Sequence, residues 1–261
     1  MADNYTNPYK KNPFKMPAFR KYMGISFALI VLILAFVLIV WLAGGRKLNL
    51  PDNFVLLQLE TPQDNAPVVV YETNLGTMKA VLYPDEAPEY YNYYTKLVES
   101  GYYNGTYICA IQEGAYALGG TKFSNPNVTE SPESDMSQIE AEVSPNLWPF
   151  KGALASFVGT GGVWPFDHNL AGSSVLFIND IDDAYMAPEA LNRTWGEELG
   201  SAFAQQGGVP NFAQKYTIFG QIYDGWEVYD AIMGSEVLET LQPASDIVFE
   251  NVYISTYGAE K

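Results

Sequence analysis

From Met23 to Ala43 the chain runs MGISFALIVLILAFVLIVWLA without a charged residue. At about 1.5 Å per helical residue this stretch reaches roughly 31 Å, the thickness of the hydrocarbon core of a bilayer. It predicts one transmembrane helix over 23–43, longer than the apolar core of about 7 to 15 residues in a cleaved signal peptide. Five bases precede the run (Lys10, Lys11, Lys15, Arg20, Lys21) and two follow it (Arg46, Lys47). An excess of bases marks the cytoplasmic side, so segment 1–22 is expected in the cytoplasm and the remainder outside, tethered to the cell membrane. Residues 44–67 mix Pro, Asn and Asp with one short apolar run, which predicts a linker holding one strand. The folded, extracytoplasmic domain is expected over 68–261, a length at which a single core buries most of its apolar surface.

Charge divides unevenly along the chain. Seven of the 14 basic residues lie in the first 47 positions beside one of the 30 acids, leaving 7 bases against 29 acids and a net charge of −22 from Leu48 onward. Nucleic acid is excluded as a partner, because binding it requires clustered cations to neutralise phosphates. The lone cysteine, Cys109, rules out an internal disulfide and a multi-cysteine zinc site, and one histidine, His168, gives no zinc-ligand spacing. No cofactor or metal is expected.

Within the outer part, Val68–Thr73 and Thr77–Tyr83 are β-rich runs flanking Asn74-Leu75-Gly76, where Asn and Gly suit the positive φ of a tight hairpin. The acids and prolines of Pro84–Pro88 suit the first turn of a helix that ends at Gly101, with Tyr90, Tyr94, Leu97 and Val98 on its core face. Short β-type segments recur at Tyr107–Ile111, Ala153–Phe157, Val175–Ile178, Thr217–Tyr223 and Ile247–Thr256. Many short strands with few helices predict a mainly β, closed barrel. One helix is expected over Pro188–Gln205, broken at Gly207-Gly208.

Taken in order, the run VVYETNLGTMKAVLYPDEAPEYYNYYTKLVESGYYNGTY resembles the opening hairpin and first helix of the cyclophilins, the family of cyclophilin-type peptidyl-prolyl cis-trans isomerases. The resemblance continues through Gly114, Gly119-Gly120, IEAEVSPN (Ile139 to Asn146), KGALAS (Lys151 to Ser156), SSVLFIND (Ser173 to Asp180) and YTIFGQIYDGWEVYDAI (Tyr216 to Ile232). It implies a closed antiparallel eight-stranded barrel capped by helices, here preceded by the transmembrane helix. It also implies rotation about X-Pro amides, whose barrier is about 18 to 20 kcal/mol.

The family's arginine polarises the prolyl amide. Its Phe-His-Arg motif corresponds to Ile108-Cys109-Ala110 here, so Ala110 stands where the guanidinium would be. The glutamine before Gly-Gly becomes Leu118, the glutamine of Ser-Gln-Phe-Phe becomes Val175, and the histidine before Val-Phe-Gly becomes Tyr216. Tyr116, Phe177 and Phe212 match proline-pocket positions, while Ala115 replaces a phenylalanine and Asn211 a tryptophan. The resemblance therefore implies a groove of Tyr116, Leu118, Val175, Phe177, Asn211, Phe212 and Tyr216 for proline-containing or unfolded exported polypeptides, with no confident catalytic residue.

Other chemistry reads less sharply. Cys109 with His168 could be posed as nucleophile and base, but an apolar strand context suits a small hydrophobe, and His168 reads as a loop residue bonded to a nearby acid. Gly159–Gly162 reads as a tight turn, and Asn179–Asp183 as a solvated turn lacking the ligand pattern of a calcium loop. Arg193, the one arginine after residue 48, would be the replacement cation if the groove had one. Two functions stand against each other: a tethered folding factor with weak isomerase activity, and a non-catalytic peptide- or protein-binding module of the cell envelope.

Overall fold

The computed structural model describes residues 53–125, 138–156, 158–162, 168–181 and 186–261. The apolar run at 23–43 lies outside them, and among the described residues no helix is long and apolar enough to cross a membrane.

Strands β1 (Pro67–Thr73) and β2 (Gly76–Leu82) form the expected hairpin, followed by α1 (Pro88–Glu99). The chain then lays down β3 (Thr106–Ile108), β4 (Ala110–Gln112), β5 (Tyr116–Gly119), β6 (Ile139–Glu140), β7 (Ala153–Ser156), β8 (Gly159–Gly161), β9 (His168–Ala171) and β10 (Val175–Ile178). Helices α2 (Pro188–Trp195) and α3 (Glu197–Gln206) come next, then β11 (Thr217–Asp224), α4 (Trp226–Met233) and β12 (Ile247–Thr256). Among the described residues, nine strands share one antiparallel sheet in the order β3-β12-β1-β2-β11-β7-β10-β5-β4. Because β3 and β4 are consecutive in the chain, this order curls back on itself into a nearly closed barrel.

The count of nine, against the eight expected, comes from a break at Cys109. Ile108 and Ile111 both enter the inner core, three residues apart. A regular strand of period two cannot place them on one face, so the run divides. Backbone bonds across the seam, Tyr107 N–H to Thr121 and Cys109 N–H to Leu118 at 2.8 and 2.9 Å, hold the two halves against β5. A smaller sheet, β6-β9-β8, flanks the barrel; the GTGG stretch read as a tight turn opens as strand β8, and His168 begins β9 rather than lying in a loop.

The inner core joins Tyr71, Met78, Ala80, Leu154, Phe177, Phe219 and Phe249 from the strands to Tyr90, Tyr94, Leu97 and Val98 of α1. Phe219 lies 4.7 Å from the Tyr90 ring and 4.8 Å from the Tyr94 ring, closing the barrel end under the helix. The helix starts at Pro88, not at Pro84; residues 84–86 form a turn. Its N-cap residue Ala87 offers no side-chain oxygen. The Glu142 carboxylate supplies it instead, accepting from the N–H groups of Glu89 and Tyr90 at 3.2 and 2.7 Å. In the hairpin, Gly76 alone among the three turn residues takes positive φ. At the N-cap of α4, Gly225 has φ +80, and a Cβ there would stand 2.2 Å from the Thr77 carbonyl oxygen.

Two expectations change upstream and in the insertion. Residues 57–59, inside the stretch expected to hold a strand, form a 3-10 turn that docks on the barrel. Its buried Gln58 donates to the Trp148 carbonyl and the Gln221 side chain, both at 2.8 Å, and accepts from the Trp148 N–H at 2.6 Å. Gln58→Ala is expected to cost about 2 to 3 kcal/mol, since three buried polar groups lose their partner; urea unfolding checks it. In the insertion, two helices replace the single one expected, because Gly196 adopts φ +82 between them. Leu191, Trp195, Leu199 and Phe203 are buried, with Trp195 6.1 Å from Trp148 and Phe203 4.8 Å from Phe150.

Candidate functional site

Side-chain parity divides the barrel wall into two faces. On β10, Val175 and Phe177 belong to the inner core, whereas Leu176 and Ile178 join a second, outer cluster with Leu147, Ala153, Ala155, Val209 and Ile218. Tyr116 and Leu118 of β5, with Phe212 and Tyr216 from the segment before β11, pack against this outer cluster and remain half-buried. Their half-exposed surfaces over a buried aliphatic floor form an apolar surface on the outer wall, the candidate groove. Phe212 is its hinge of contact, with its ring 6.1 Å from Tyr116 and 4.6 Å from Tyr216, the latter nearly perpendicular.

Of the residues expected to line the groove, Tyr116, Leu118, Phe212 and Tyr216 pack against one cluster, and two others lie elsewhere. Val175 is fully buried, and Phe177, 1% exposed, sits inside the barrel with its ring 5.3 Å from Tyr71 and 5.9 Å from Phe249. Side chains alternate along a strand, so Leu176, between Val175 and Phe177, takes the opposite parity and joins the outer cluster. The register Leu176↔Leu118 sets Leu176 beside a groove residue directly. Asn211 is exposed on the 3-10 turn Pro210–Phe212, beside the rings rather than among them.

Ala110 is paired with Leu118 across β4 and β5, which puts its methyl on the groove wall, 5% exposed. No guanidinium is carried at this position of β4, where the side chain is the Ala110 methyl. Arg193 does not supply one: its Nε donates to the Glu189 carbonyl one turn back on α2, at 3.1 Å, on an exposed face. Lys215, the base next to Tyr216, is exposed, and its carbonyl accepts from the Asn169 side chain.

Burial, with the Tyr116 ring nearby, raises the Tyr216 phenol above its ordinary value, so it stays neutral where an imidazole in its place would titrate near pH 6.5. Cys109 is buried and its thiol is pushed up by desolvation, the opposite of an activated nucleophile. Asp180, part of the acidic stretch, has a structural partner: its carboxylate accepts from the Gly208 N–H at 3.1 Å. Gly208 is required there, since a Cβ would meet the Pro149 carbonyl oxygen at 2.2 Å. Among the described residues no group of three His, Cys, Asp or Glu side chains is arranged to hold a metal ion.

Fold and site together define a class: a helix-capped, nearly closed antiparallel barrel with an aromatic-walled groove outside it. A family model described as cyclophilin type peptidyl-prolyl cis-trans isomerase/CLD matches residues 68–255. The chain belongs to this family. A Streptococcus pyogenes protein named "Putative bifunctional phosphatase/peptidyl-prolyl cis-trans isomerase" is 28% identical over 199 residues, which take in 76% of this chain and 40% of that protein. A Staphylococcus haemolyticus protein named "Putative peptidyl-prolyl cis-trans isomerase" is 28% identical over 194 residues, 73% of this chain and 92% of the relative. In fold, the chain is similar to a Cryptosporidium parvum cyclophilin type isomerase crystallised in the presence of the dipeptide Ala-Pro. That likeness has a TM-score of 0.54 and 20% identity, covering 72% of this chain and 99% of the other.

Proposed function

We propose that this protein is a membrane-tethered, extracytoplasmic folding factor of the cyclophilin family that holds proline-containing segments of exported chains and isomerises them weakly. The observation that carries the reading is Ala110, on the groove wall opposite Leu118, beside an aromatic and aliphatic surface of Tyr116, Leu176, Phe212 and Tyr216. Isomerisation needs no covalent step. It needs a surface that grips the proline ring and a donor that withdraws electron density from the amide nitrogen, stabilising the twisted state over either planar one. Tyr116, Leu176 and Phe212 offer the grip, and a neutral Tyr216 phenol is a weaker donor than a guanidinium. The tether rests on the 23–43 run and the bases before it.

A protease-coupled proline-isomerisation assay with the purified full chain tests the enzymatic half; rates equal to the uncatalysed reaction would remove it. The second reading, a binding module without catalysis, is favoured by the same substitution of Ala110 together with Leu118 in the facing position. Under both readings Phe212→Ala is expected to weaken binding of a proline-containing peptide about tenfold, because it removes the ring that contacts both tyrosines. Calorimetric titration measures it.

A further inference from the structure

We infer that the groove selects proline-containing segments flanked by basic side chains. The inference rests on the peptide-binding reading above and adds the chemistry of the flanks. From Leu48 onward the chain carries 29 acids against 7 bases. Three of those bases are already engaged by carboxylates: Lys79 with Asp224 at 3.2 Å and Glu260 at 3.5 Å, Lys151 with Asp230 at 3.2 Å, and Lys261 with Asp64. Arg193 is turned to a carbonyl of its own helix, and the Lys122 ammonium lies over the Tyr102 ring at 5.5 Å. The field that reaches an approaching peptide is therefore negative.

Local geometry concentrates that field at one end of the groove. The turn that precedes Tyr116 is closed by an Ala115 N–H to Gln112 carbonyl bond at 3.0 Å and carries the exposed Glu113. Beside it runs the end of β10, joined by the Asn179 N–H to Ala115 carbonyl bond at 2.8 Å, and the next residue is Asp180. The exposed Glu113 carboxylate thus borders the Tyr116 end, the Asp180 carboxylate lies further along, accepting from the Gly208 N–H at 3.1 Å, and neither segment carries a basic side chain. At the Tyr216 end one exposed base, Lys215, faces the solvent. The groove floor itself is uncharged, so the proline and the flanks are read by separate surfaces: apolar contact for the ring, Coulomb attraction for the flank. Such attraction acts on encounter and is screened within about 10 Å at 0.1 M salt.

The test uses the purified full-length chain and three capped peptides: Lys-Ala-Pro-Lys, Ala-Ala-Pro-Ala and Glu-Ala-Pro-Glu. Kd is measured by calorimetry at about 20 mM and about 500 mM sodium chloride, on either side of the range where screening takes hold. The expected result is the lysine peptide about tenfold tighter than the alanine peptide at low salt, the glutamate peptide weakest, and the ratio shrinking below about threefold at high salt. Glu113→Lys should shrink the low-salt ratio as well. Equal affinities for the lysine and alanine peptides at low salt, a preference untouched by salt, or a ratio unmoved by Glu113→Lys overturns the inference while leaving the groove in place. Absence of binding by all three peptides removes the groove reading itself and this inference with it.

Discussion

Ala110→Arg is expected to raise kcat/KM for proline isomerisation about a hundredfold. Ala110 sits on the groove wall, and the cation placed there would lie above an apolar floor where water is thin, the setting in which a preorganised donor is worth about a hundredfold to a thousandfold. The side chain leaves a nearly buried Cβ and must cross Leu118, its cross-strand partner, before its head reaches the groove. Its methylenes can lie along that leucine while the guanidinium reaches over the apolar floor. Adding Leu118→Gln supplies an acceptor for the guanidinium, and the double variant is expected to exceed the single one. Ala110→Met, similar in reach but uncharged, should leave the rate as it was. A coupled isomerisation assay on the three variants separates the donor from mere bulk.

Phe177→Ala is expected to lower stability by about 3 to 5 kcal/mol and to leave peptide affinity within about twofold. The ring is surrounded inside the barrel by Tyr71 and Phe249, on the opposite face of β10 from the groove, so its removal opens a cavity under α1 rather than in the binding surface. Leu176→Ala, one residue away, should do the reverse: a smaller loss of stability with a clear loss of affinity, since its side chain belongs to the outer cluster. Denaturant unfolding and calorimetric titration of the two variants read the two faces independently.

The contrast between Val175 and Leu176 shows where sequence reasoning reached and where it stopped. Alternation and turn chemistry located β1, β2, β10, β11 and β12 almost to the residue, because each is a compact apolar run bounded by turn formers. All four residues of β10 are buried, so hydrophobicity offers no parity, and only pairing with β5 and β7 decides which side faces out. β8 and β9 were illegible for a different reason: GTG and HNLA carry little apolar alternation, and they form by pairing with each other and with β6. The break at Cys109 follows from where the barrel must close, a tertiary demand that the TYICAIQ stretch does not announce. Ala110 is singled out by the resemblance alone, through the correspondence of Ile108-Cys109-Ala110 to a Phe-His-Arg motif, and the structure adds its pairing with Leu118.

The docking of residues 53–66 was also hidden. A glutamine in an apolar run reads as exposed, yet Gln58 is buried by satisfying both backbone groups of Trp148, a partner 90 positions away. The same non-local logic applies to Glu142, which caps α1 from outside the helix.

The central claim is that the groove of Tyr116, Leu118, Leu176, Phe212 and Tyr216 holds an X-Pro segment but lacks the charge that would hurry its rotation. Nuclear magnetic resonance of the full chain with an Ala-Pro-containing peptide tests both halves in one sample. The account predicts that Phe212 and Tyr216 resonances shift on titration while cis-trans exchange of the bound peptide is only slightly faster than in free solution. Unmoved groove resonances, or exchange that becomes fast at catalytic amounts of protein, would contradict it.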